Sequence, residues 1–335
     1  MSSVIDILPQ EIRATLRHAS QPDWVSPMLA TLTEERFSKD DWIYEPKLDG
    51  ERCLVFRDGA KVRLLSRNQL SLNGSYPELL KACEETKLSS YIIDGELVAF
   101  KGKVTSFEML QGRMQTRNAS ETLVQEIPIY YYVFDLIFFD GYDLRRIPLR
   151  YRKQLLKRAL DFKDPLRFTP HVEREGVTYF KQACGQGWEG VIAKQIDSSY
   201  VSKRSKDWLK FKCVAEQEMV IGGYTEPRGS RTGFGALLIG YYDNGNLVYA
   251  GKVGTGFNEE TLRTLGASLT SLEQNRSPFT GVVKGDLTHW VKPVLVAEVG
   301  FSEWTRYGML RHPRFKGLRR DKTAREVVKE FKYGR

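Results

Sequence analysis

The sequence is poor in the residues that build metal centres. Its 335 residues include only four cysteines and four histidines. The cysteines lie far apart in the sequence and form no Cys-x-x-Cys pair, so a structural zinc site is not expected. We interpret them as reduced thiols of a soluble, cytoplasmic protein. They are Cys53, Cys83, Cys184 and Cys213.

Long apolar runs are missing as well. No stretch approaches the roughly 20 apolar residues that a membrane helix needs, so we expect no membrane association. The first residues, from Met1 to Asp6, lack the basic start and the apolar stretch of a secretory signal. An apolar fraction of 41% nevertheless suffices for packed cores and excludes a disordered chain. At about 150 residues per domain, the length predicts two domains or one large one.

Acidic residues are scarce near the end of the chain. Residues 301–335 carry 11 Lys and Arg against 4 Asp and Glu, which is +7 of the chain's net charge of +9. A second basic segment, residues 203–212, interleaves its cations with Trp208 and Phe211. Clustered cations suit a polyphosphate partner, because binding releases condensed counterions. A solvated basic surface explains the same charge equally well.

The pattern of apolar residues changes near residue 216, where we place a domain boundary. Before it, strand-like runs such as Ile129–Phe139 alternate with helical patterns such as Leu149–Leu160. After it come short strand-like runs, an Asp243-Asn244-Gly245-Asn246 turn and one helix capped by Asn258. Short strands with a single helix predict a small β-barrel such as the OB-fold.

One lysine stands between a strand-like run and a tight turn. Lys47 lies in the segment Glu45-Pro46-Lys47-Leu48-Asp49-Gly50, which Arg52 follows after one residue. The plainer interpretation is a hairpin with an exposed lysine, and the functional one is a covalent nucleophile. An ordinary lysine has a pKa of about 10.4, so only about one in 2,500 is neutral at pH 7. Nucleophilic use therefore requires neighbouring cations or burial to lower that pKa.

The segment around Lys47 resembles the first motif of the covalent nucleotidyltransferases, which include DNA ligases, RNA ligases and mRNA capping enzymes. Other segments resemble the remaining motifs of this superfamily in the same order, and their joint occurrence is far more specific than any single motif. These segments are Ser66-Arg67-Asn68, Asp94-Gly95-Glu96, Val133–Gly141, Glu189–Lys194, Trp208–Lys212 and Arg319–Lys322. In addition, Pro27–Ala30 resembles the segment that precedes the nucleophile in ATP-dependent DNA ligases.

The resemblance is strongest to the ligase module of the bacterial ligase D family, the end-joining DNA ligases. Residues Gly222–Arg231, Gly251–Phe257 and Arg311–Lys322 carry it. Two residues depart from the pattern: Gln69 replaces a glycine, and Arg320 stands where that family usually has an acid. The polymerase and nuclease modules often fused to ligase D have no counterpart among these residues. The resemblance therefore supports the sealing chemistry more strongly than it supports an end-joining role.

The resemblance implies an α+β fold. A nucleotidyltransferase (adenylation) domain, ATP-grasp-like and built on antiparallel sheets, would occupy residues 1–216, and a C-terminal OB-fold β-barrel would occupy residues 217–335. It also implies three steps: Lys47 attacks the α-phosphate of ATP and releases pyrophosphate, AMP moves to the 5′-phosphate at a DNA nick, and the 3′-hydroxyl expels AMP. Each step is an in-line displacement at phosphorus, so catalysis depends on positioning, cations and metal.

The same resemblance assigns several residues of the first domain to the nucleotide. Glu45 would read the adenine, and Arg52 and Arg67 would hold the ribose and the phosphates. Phe134 would stack on the adenine ring, although an aromatic residue of a buried strand fits the sequence as well.

Carboxylates and lysines would serve the phosphates. Glu96 and Glu189 would bind Mg²⁺ or Mn²⁺, or order the ribose and a metal-bound water, because hard cations prefer carboxylate oxygens. Three lysines would neutralise the α-phosphate and stabilise its transition-state charge: Lys194, Lys210 and Lys212. The last two are two residues apart, as in a strand that projects cations from one face.

In the second domain, the resemblance assigns Arg319, Asp321 and Lys322 to the β- and γ-phosphates. This domain would close over the nucleotide in the first step and then turn another face to DNA. The plainer interpretation is a basic tail that only binds nucleic acid.

Two alternatives to a DNA ligase stay open at this point. Lys-x-Asp-Gly does not distinguish ATP from GTP, so an RNA ligase or a capping-type nucleotidyltransferase fits the motif. Basic residues and a barrel would also suffice for a non-catalytic nucleic-acid binder. For a ligase we expect a bacterial, nucleoid-associated monomer that acts on nicked or broken double-stranded DNA and is recruited by a DNA-end-binding protein.

Overall fold

A computed structural model describes residues 4–114, 116–213, 215–227, 232–281, 283 and 288–330 of the chain. These residues form two compact units, one of residues 4–213 and one of residues 215–330. The sequence-based boundary after residue 216 falls inside the first strand of the second unit. In the described part of the chain, no helix is both long and apolar enough to cross a membrane.

The first unit combines short helices with two main sheets. A 3₁₀ helix spans Val4–Ile7, and the α-helices are α1 (Gln10–Thr15), α2 (Pro77–Glu84), α3 (Phe107–Met114), α4 (Glu121–Glu126), α5 (Leu149–Ala159) and α6 (Gly176–Gly185). The strands are β1 (Arg17–His18), β2 (Leu29–Leu32), β3 (Trp42–Lys47), β4 (Glu51–Asp58), β5 (Lys61–Ser66), β6 (Ser90–Val98), β7 (Phe100–Lys101), β8 (Val104–Thr105), β9 (Tyr130–Phe139), β10 (Tyr142–Asp143), β11 (Leu166–Phe168), β12 (Val172–Glu173), β13 (Gly190–Gln195) and β14 (Arg204–Lys212).

The strands of the first unit pair almost entirely in antiparallel fashion. The large sheet has the order β1-β10-β9-β6-β4-β5, with β11 parallel to β9. The small sheet has the order β12-β3-β13-β14-β2, with β14 parallel to β2. The remaining strands, β7 and β8, form a two-stranded ribbon. The α+β architecture and the antiparallel sheets expected from the sequence are therefore confirmed.

Local sequence explains the two longest predicted elements of this unit. The aromatic and β-branched run at Ile129–Phe139 forms β9, and seven of its residues from Val133 to Phe139 are buried in succession, as expected of a central strand covered on both faces. The leucine pattern at Leu149–Leu160 forms α5, which ends at Ala159. Leu155 and Leu156 of this helix join the core on one face of the large sheet.

The two sheets of the first unit pack against each other through one face each. On the large sheet, Leu54, Phe56 and Phe134 belong to a buried cluster that includes Trp208 of the small sheet. The opposite face of the small sheet packs on α6 through a separate apolar cluster that contains Phe211. The face of the small sheet toward the large sheet is therefore the one that can hold a site in a cleft.

The second unit is built around an antiparallel sheet. Its strands are β15 (Ala215–Thr225), β16 (Leu237–Asp243), β17 (Asn246–Val253), β18 (Glu273–Gln274), β19 (Thr288–Val291), β20 (Val296–Phe301), β21 (Glu303–Trp304), β22 (Leu310–Arg311) and β23 (Arg314–Leu318). They are joined by α7 (Glu259–Ser271) and a 3₁₀ helix at Ala324–Glu326. The path β17-β16-β15-β19-β18, with β20 joining β15 to β23, gives the OB-like region expected from the sequence.

Two local predictions for the second unit are confirmed. Asn244 and Gly245 have φ values of 46° and 81° in the tight turn between β16 and β17, as the Asn-Gly pair predicts. The side chain of Asn258 accepts a hydrogen bond from the Thr261 N–H and caps α7. Residues 228–231, the last part of the Gly222–Arg231 segment, lie outside the described residues.

The cysteine prediction is wrong for one pair. Cys184 on α6 and Cys213, just after β14, form a disulfide with their Cα atoms 5.3 Å apart. They are 29 residues apart in the chain, and the packing of α6 against the small sheet brings them together. That tertiary contact leaves no signature in cysteine spacing. Cys53 and Cys83 are buried free thiols, as predicted.

Candidate functional site

The chain crosses from one sheet to the other directly after Lys47. Strand β3 ends at Lys47 in the small sheet, whereas β4 begins at Glu51 in the large sheet. The hairpin interpretation is thus excluded, since these two strands do not pair with each other. The crossing is fixed by Asp49, whose N–H donates to Oγ1 of Thr105 and whose carboxylate accepts from the Phe107 N–H.

A glycine is required at the end of this crossing. A Cβ atom on Gly50 would lie 2.1 Å from the carbonyl oxygen of Leu97, far inside any permitted contact. The backbone therefore approaches β6 as closely as it does only because residue 50 has no side chain. This close approach holds the end of β3, and with it Lys47, at the edge of the cleft between the sheets.

The side chain of Lys47 is paired with a predicted metal ligand. Its Nζ donates to Oε1 of Glu189, and the two side chains are 18% and 9% exposed. Strand pairing brings them together, because Gly190 stands opposite Lys47 in the β3–β13 ladder. Gly190 also stands opposite Lys212, so Lys47 and Lys212 flank the same glycine.

Alternation along the small sheet separates charge from apolar packing. Residues directly opposite each other in antiparallel strands share a face. Ile192 pairs with Glu45 on one side and Lys210 on the other, and Lys194 pairs with Trp208. The face toward the large sheet, called here the lysine face, therefore carries Glu45, Lys47, Lys194, Lys210 and Lys212.

A buried ion cluster occupies the inner part of the lysine face. The Glu45 carboxylate is 2% exposed, and each of its oxygens meets one lysine. Nζ of Lys153 lies 2.5 Å from Oε1, and Nζ of Lys194 lies 2.6 Å from Oε2. Burial acts to raise the pKa of Glu45, but the two lysine charges outweigh it and leave that pKa below its ordinary value. Glu45 is therefore ionised.

Lys194 is held by charge and by aromatic rings. Its Nζ lies 4.2 Å from the ring centre of Phe134 and 4.0 Å from that of Trp208. Burial lowers the pKa of Lys194 to about 8, with Glu45 opposing the shift and Lys153 reinforcing it. The Phe134 ring, which the resemblance assigns to adenine stacking, thus contacts the Lys194 ammonium in this structure.

The large sheet contributes a second ion pair to the cleft. The Arg52 guanidinium binds both oxygens of Asp94, at 2.5 and 2.6 Å, and lies 4.5 Å from the ring centre of Phe134. The Tyr200 hydroxyl donates to the same carboxylate at 2.6 Å. Burial acts to lower the pKa of Arg52, but the Asp94 charge outweighs it and raises that pKa.

Two further predicted residues lie along the same edge of the large sheet. Glu96 stands directly opposite Arg52 in the β4–β6 ladder. Arg67 follows β5, one residue beyond the pairing of Cys53 with Ser66, which places it next to the start of β4. Gln69, two residues further, has a φ of 62°. A left-handed residue at this turn explains why glycine suits the position better than glutamine does.

The residues predicted for the second unit form a cluster of their own. Arg319 binds both oxygens of Asp321, at 2.9 and 2.8 Å, and contacts Glu298 at 3.2 Å. Nζ of Lys322 lies 3.1 Å from Glu218. Burial acts to lower the pKa of Arg319, but the Asp321 charge outweighs it and raises that pKa well above its ordinary value.

Sequence reasoning missed several members of these clusters, among them Lys153, Tyr200, Glu218 and Glu298. One signal was available for Lys153. It lies four residues after Leu149 and three before Leu156, so it occupies an apolar position of the amphipathic pattern that predicts α5. A lysine at such a position is buried only when it is paired. Tyr200 and Glu298 carry no comparable sequence signal.

Two protein families match the chain. The family described as ATP dependent DNA ligase domain matches residues 27–212, and the family described as ATP dependent DNA ligase C terminal region matches residues 230–322. The first match spans the whole lysine face, and the second includes Arg319, Asp321 and Lys322.

Curated relatives and solved structures agree with these matches. The multifunctional non-homologous end joining protein LigD of Pseudomonas aeruginosa is 39% identical, covering 92% of this chain and 37% of the relative. The LigD repair protein of Mycobacterium tuberculosis is 38% identical, covering 92% of this chain and 40% of the relative. The chain thus spans about two fifths of the length of these relatives. A structure described as mycobacterial DNA ligase D complexed with ATP and MES is 34% identical, with a TM-score of 0.65, covering 91% of this chain and 98% of that one.

Proposed function

The chain belongs to the ATP-dependent DNA ligase family, and on that premise we propose that it seals nicks in double-stranded DNA through a covalent Lys47–AMP intermediate. One observation carries the proposal: Lys47 ends a strand at a cleft, is ion-paired with Glu189, and shares the lysine face with three further lysines. A surface lysine in a hairpin would need none of these neighbours.

In the first step, Nζ of Lys47 attacks the α-phosphorus of ATP. A phosphorus–nitrogen bond forms, the bond from the α-phosphorus to pyrophosphate breaks, and the amine gives up a proton. A neighbouring carboxylate favours the charged ammonium, so Glu189 must exchange Lys47 for another cation before that proton leaves. Lys194, Lys210 and Lys212 would hold the phosphate oxygens on which charge develops.

Glu45, Phe134, Arg52 and Arg67 would bind the adenosine part of the nucleotide. The buried Glu45 and the aromatic ring of Phe134, both of which contact Lys194, suit a purine, which has hydrogen-bond donors at its edge and an apolar face. Arg52 has its orientation fixed by Asp94 and Tyr200. Positioning of this kind supplies much of the catalysis in phosphoryl-type transfers.

Glu96 and Glu189 would hold a divalent cation together with the phosphates of the substrate. In the described part of the chain, no three carboxylate, histidine or cysteine side chains gather into a complete metal cage. Mg²⁺ characteristically keeps waters and substrate phosphates as ligands beside one or two carboxylates. When bound, the ion would supply charge neutralisation at the phosphates, and Mn²⁺ would serve by the same chemistry.

Trapping the intermediate tests this function. Incubation with α-labelled ATP and Mg²⁺ should label the protein band, Lys47→Ala should abolish the label, and Lys61→Ala, at an exposed lysine of β5, should leave it unchanged. α-Labelled GTP in parallel tests which purine nucleotide labels the protein. Sealing of nicked DNA compared with sealing of nicked RNA tests the nucleic-acid substrate. An unlabelled wild-type protein, or a label that survives Lys47→Ala, would contradict the proposal.

We also propose that sealing serves double-strand break repair, together with a protein that binds DNA ends. The support is the name printed for the relatives, end joining protein LigD, of which this chain matches about two fifths. Deleting the gene in its host should lower the number of circularised plasmids recovered after transformation with linearised plasmid. The recovery of uncut plasmid should stay unchanged. Equal recovery of both would remove the end-joining role and leave nick sealing intact.

A further inference from the structure

One buried lysine of the first unit has no part in the reaction described above. Lys153 lies on α5 and is 4% exposed, between the buried Leu149 and Leu156. Its charge is not explained by stability, because a well-packed apolar side chain often serves as well as a buried ion pair or better. Stability alone therefore does not account for a buried lysine on the apolar face of a helix.

The Glu45 carboxylate has two lysine partners that differ in how they are held. Nζ of Lys153 donates a hydrogen bond to Oε1 of Glu45. Nζ of Lys194 is close to Oε2, at 2.6 Å, but is not aligned for a hydrogen bond with any described atom. Lys194 is thus attracted by charge and by the rings of Phe134 and Trp208, and its N–H groups stay available for another acceptor.

We propose that Lys153 is a positioning residue: it remains the counter-ion of Glu45 when Lys194 turns from Glu45 to a phosphate of the nucleotide. This inference rests on the proposed function. Without Lys153, the departure of Lys194 would leave Glu45 as a buried carboxylate with no cation, which is strongly unfavourable. With Lys153 in place, Glu45 stays ionised and fixed, and its second oxygen becomes available to the substrate.

The electrostatics of the cluster support the same division of labour. The charge of Lys153 adds to burial in lowering the pKa of Lys194, against the attraction of Glu45. The two like charges repel each other across one carboxylate, so the less firmly bonded lysine is the one that leaves. His171, whose pKa is lowered by burial and by Lys153, also faces the cluster and adds no positive charge near pH 7.

The test is the single-turnover rate of Lys47 adenylation with α-labelled ATP, using the whole chain. Lys153→Met should slow the reaction at saturating ATP by about 10- to 100-fold, as loss of a supporting residue around a site typically does. The half-saturating ATP concentration should change little, because the lost interaction acts in the transition state. Lys153→Gln keeps a donor without the charge and should be as slow, whereas Lys153→Arg should restore most of the rate.

Two controls separate positioning from folding. Lys157→Met, one turn further along α5 at an exposed position, should keep the wild-type rate. Thermal unfolding of Lys153→Met identifies a variant that is slow only because it is unfolded; in that case the Lys153→Gln and Lys153→Arg pair decides.

The outcomes distinguish this inference from the proposed function. A wild-type protein that takes no label overturns the function itself. A labelled wild type with an equally fast Lys153→Met variant overturns only the role of Lys153. So does a variant with a raised half-saturating ATP concentration and an unchanged maximal rate.

Discussion

The two units contain buried ion clusters of opposite composition. In the first, one carboxylate, Glu45, is shared by two lysines, Lys153 and Lys194. In the second, one guanidinium, Arg319, is shared by two carboxylates, Asp321 and Glu298. The first cluster carries a surplus positive charge and the second a surplus negative charge. The first is therefore prepared for an anion, and the second holds its cation firmly.

This difference has a consequence for how each cation can act. Lys194 lacks a well-aligned hydrogen bond in the first cluster, so its turn to a phosphate breaks an ion-pair contact but no well-aligned hydrogen bond. Arg319 makes a two-pronged contact with Asp321 and must give up part of it to bind a phosphate. Burial of the cations is similar, since Lys194 is 2% and Arg319 13% exposed. The two cations therefore differ in the geometry of their ion pairs rather than in how deeply they are buried.

The largest effect expected from this comparison is the loss of Lys194. Lys194→Met should lower the rate of Lys47 adenylation by about 10²- to 10³-fold, the usual loss when a group that stabilises transition-state charge is removed. The folded state should survive, because Glu45 retains Lys153 as its counter-ion. Single-turnover labelling and a thermal melt measure the two quantities.

Lys203→Met, at an exposed lysine before β14, is the matched control and should be indistinguishable from wild type. A Lys194→Met variant that retains more than about a tenth of the wild-type rate would remove Lys194 from the phosphate site.

Loss of Arg319, the cation held firmly in the second unit, should affect only the first step of the reaction. Arg319→Ala should slow formation of the Lys47–AMP adduct by about 10- to 100-fold while leaving the sealing of pre-adenylated nicks near the wild-type rate, because a β- or γ-phosphate is present only in the first step. Arg320→Ala, at the exposed neighbouring arginine, is the control. The measurement is the ratio of the two rates in each variant. Equal losses in both assays would refute this division.

The residues that the fold gathers on the lysine face could be identified from the sequence, but the contacts that support them could not. Lys47, Glu45 and Lys194 are separated by up to 149 residues, and the order of motifs found them because each motif is local. Strand register then aligns them. The crossing of the chain between sheets after Lys47 and the Cys184–Cys213 disulfide depend on how distant segments pack, and no spacing along the chain encodes that packing.

The pH dependence of adenylation should show whether Lys194 must be charged for the reaction. The pKa of Lys194 is lowered to about 8, so this lysine is charged below pH 8 and neutral above it. The value of kcat/KM for ATP, which reports the free enzyme, should therefore fall above about pH 8, by about tenfold per pH unit. The groups that act on this pKa are Glu45, Lys153 and Asp135.

Lys194→Met should lose the fall above pH 8. A wild-type profile that stays level up to pH 9.5 or beyond would show that Lys194 is not needed as a cation, or that its pKa is not lowered.

The smallest effect concerns the turn that carries Arg67. Gln69 has a φ of 62°, where a non-glycine residue is strained by about 1–2 kcal/mol. Gln69→Gly removes this strain but adds about 0.4–1 kcal/mol of unfolded-state entropy, so the free energy of unfolding should rise by at most about 1.6 kcal/mol. Gln69→Val should lower it, because a β-branched residue tolerates positive φ least. Leu70→Gly, at the exposed next residue, is the control and should destabilise slightly. If Gln69→Gly were the least stable of the three in chemical denaturation, strain at this turn could not be the reason that glycine suits the position.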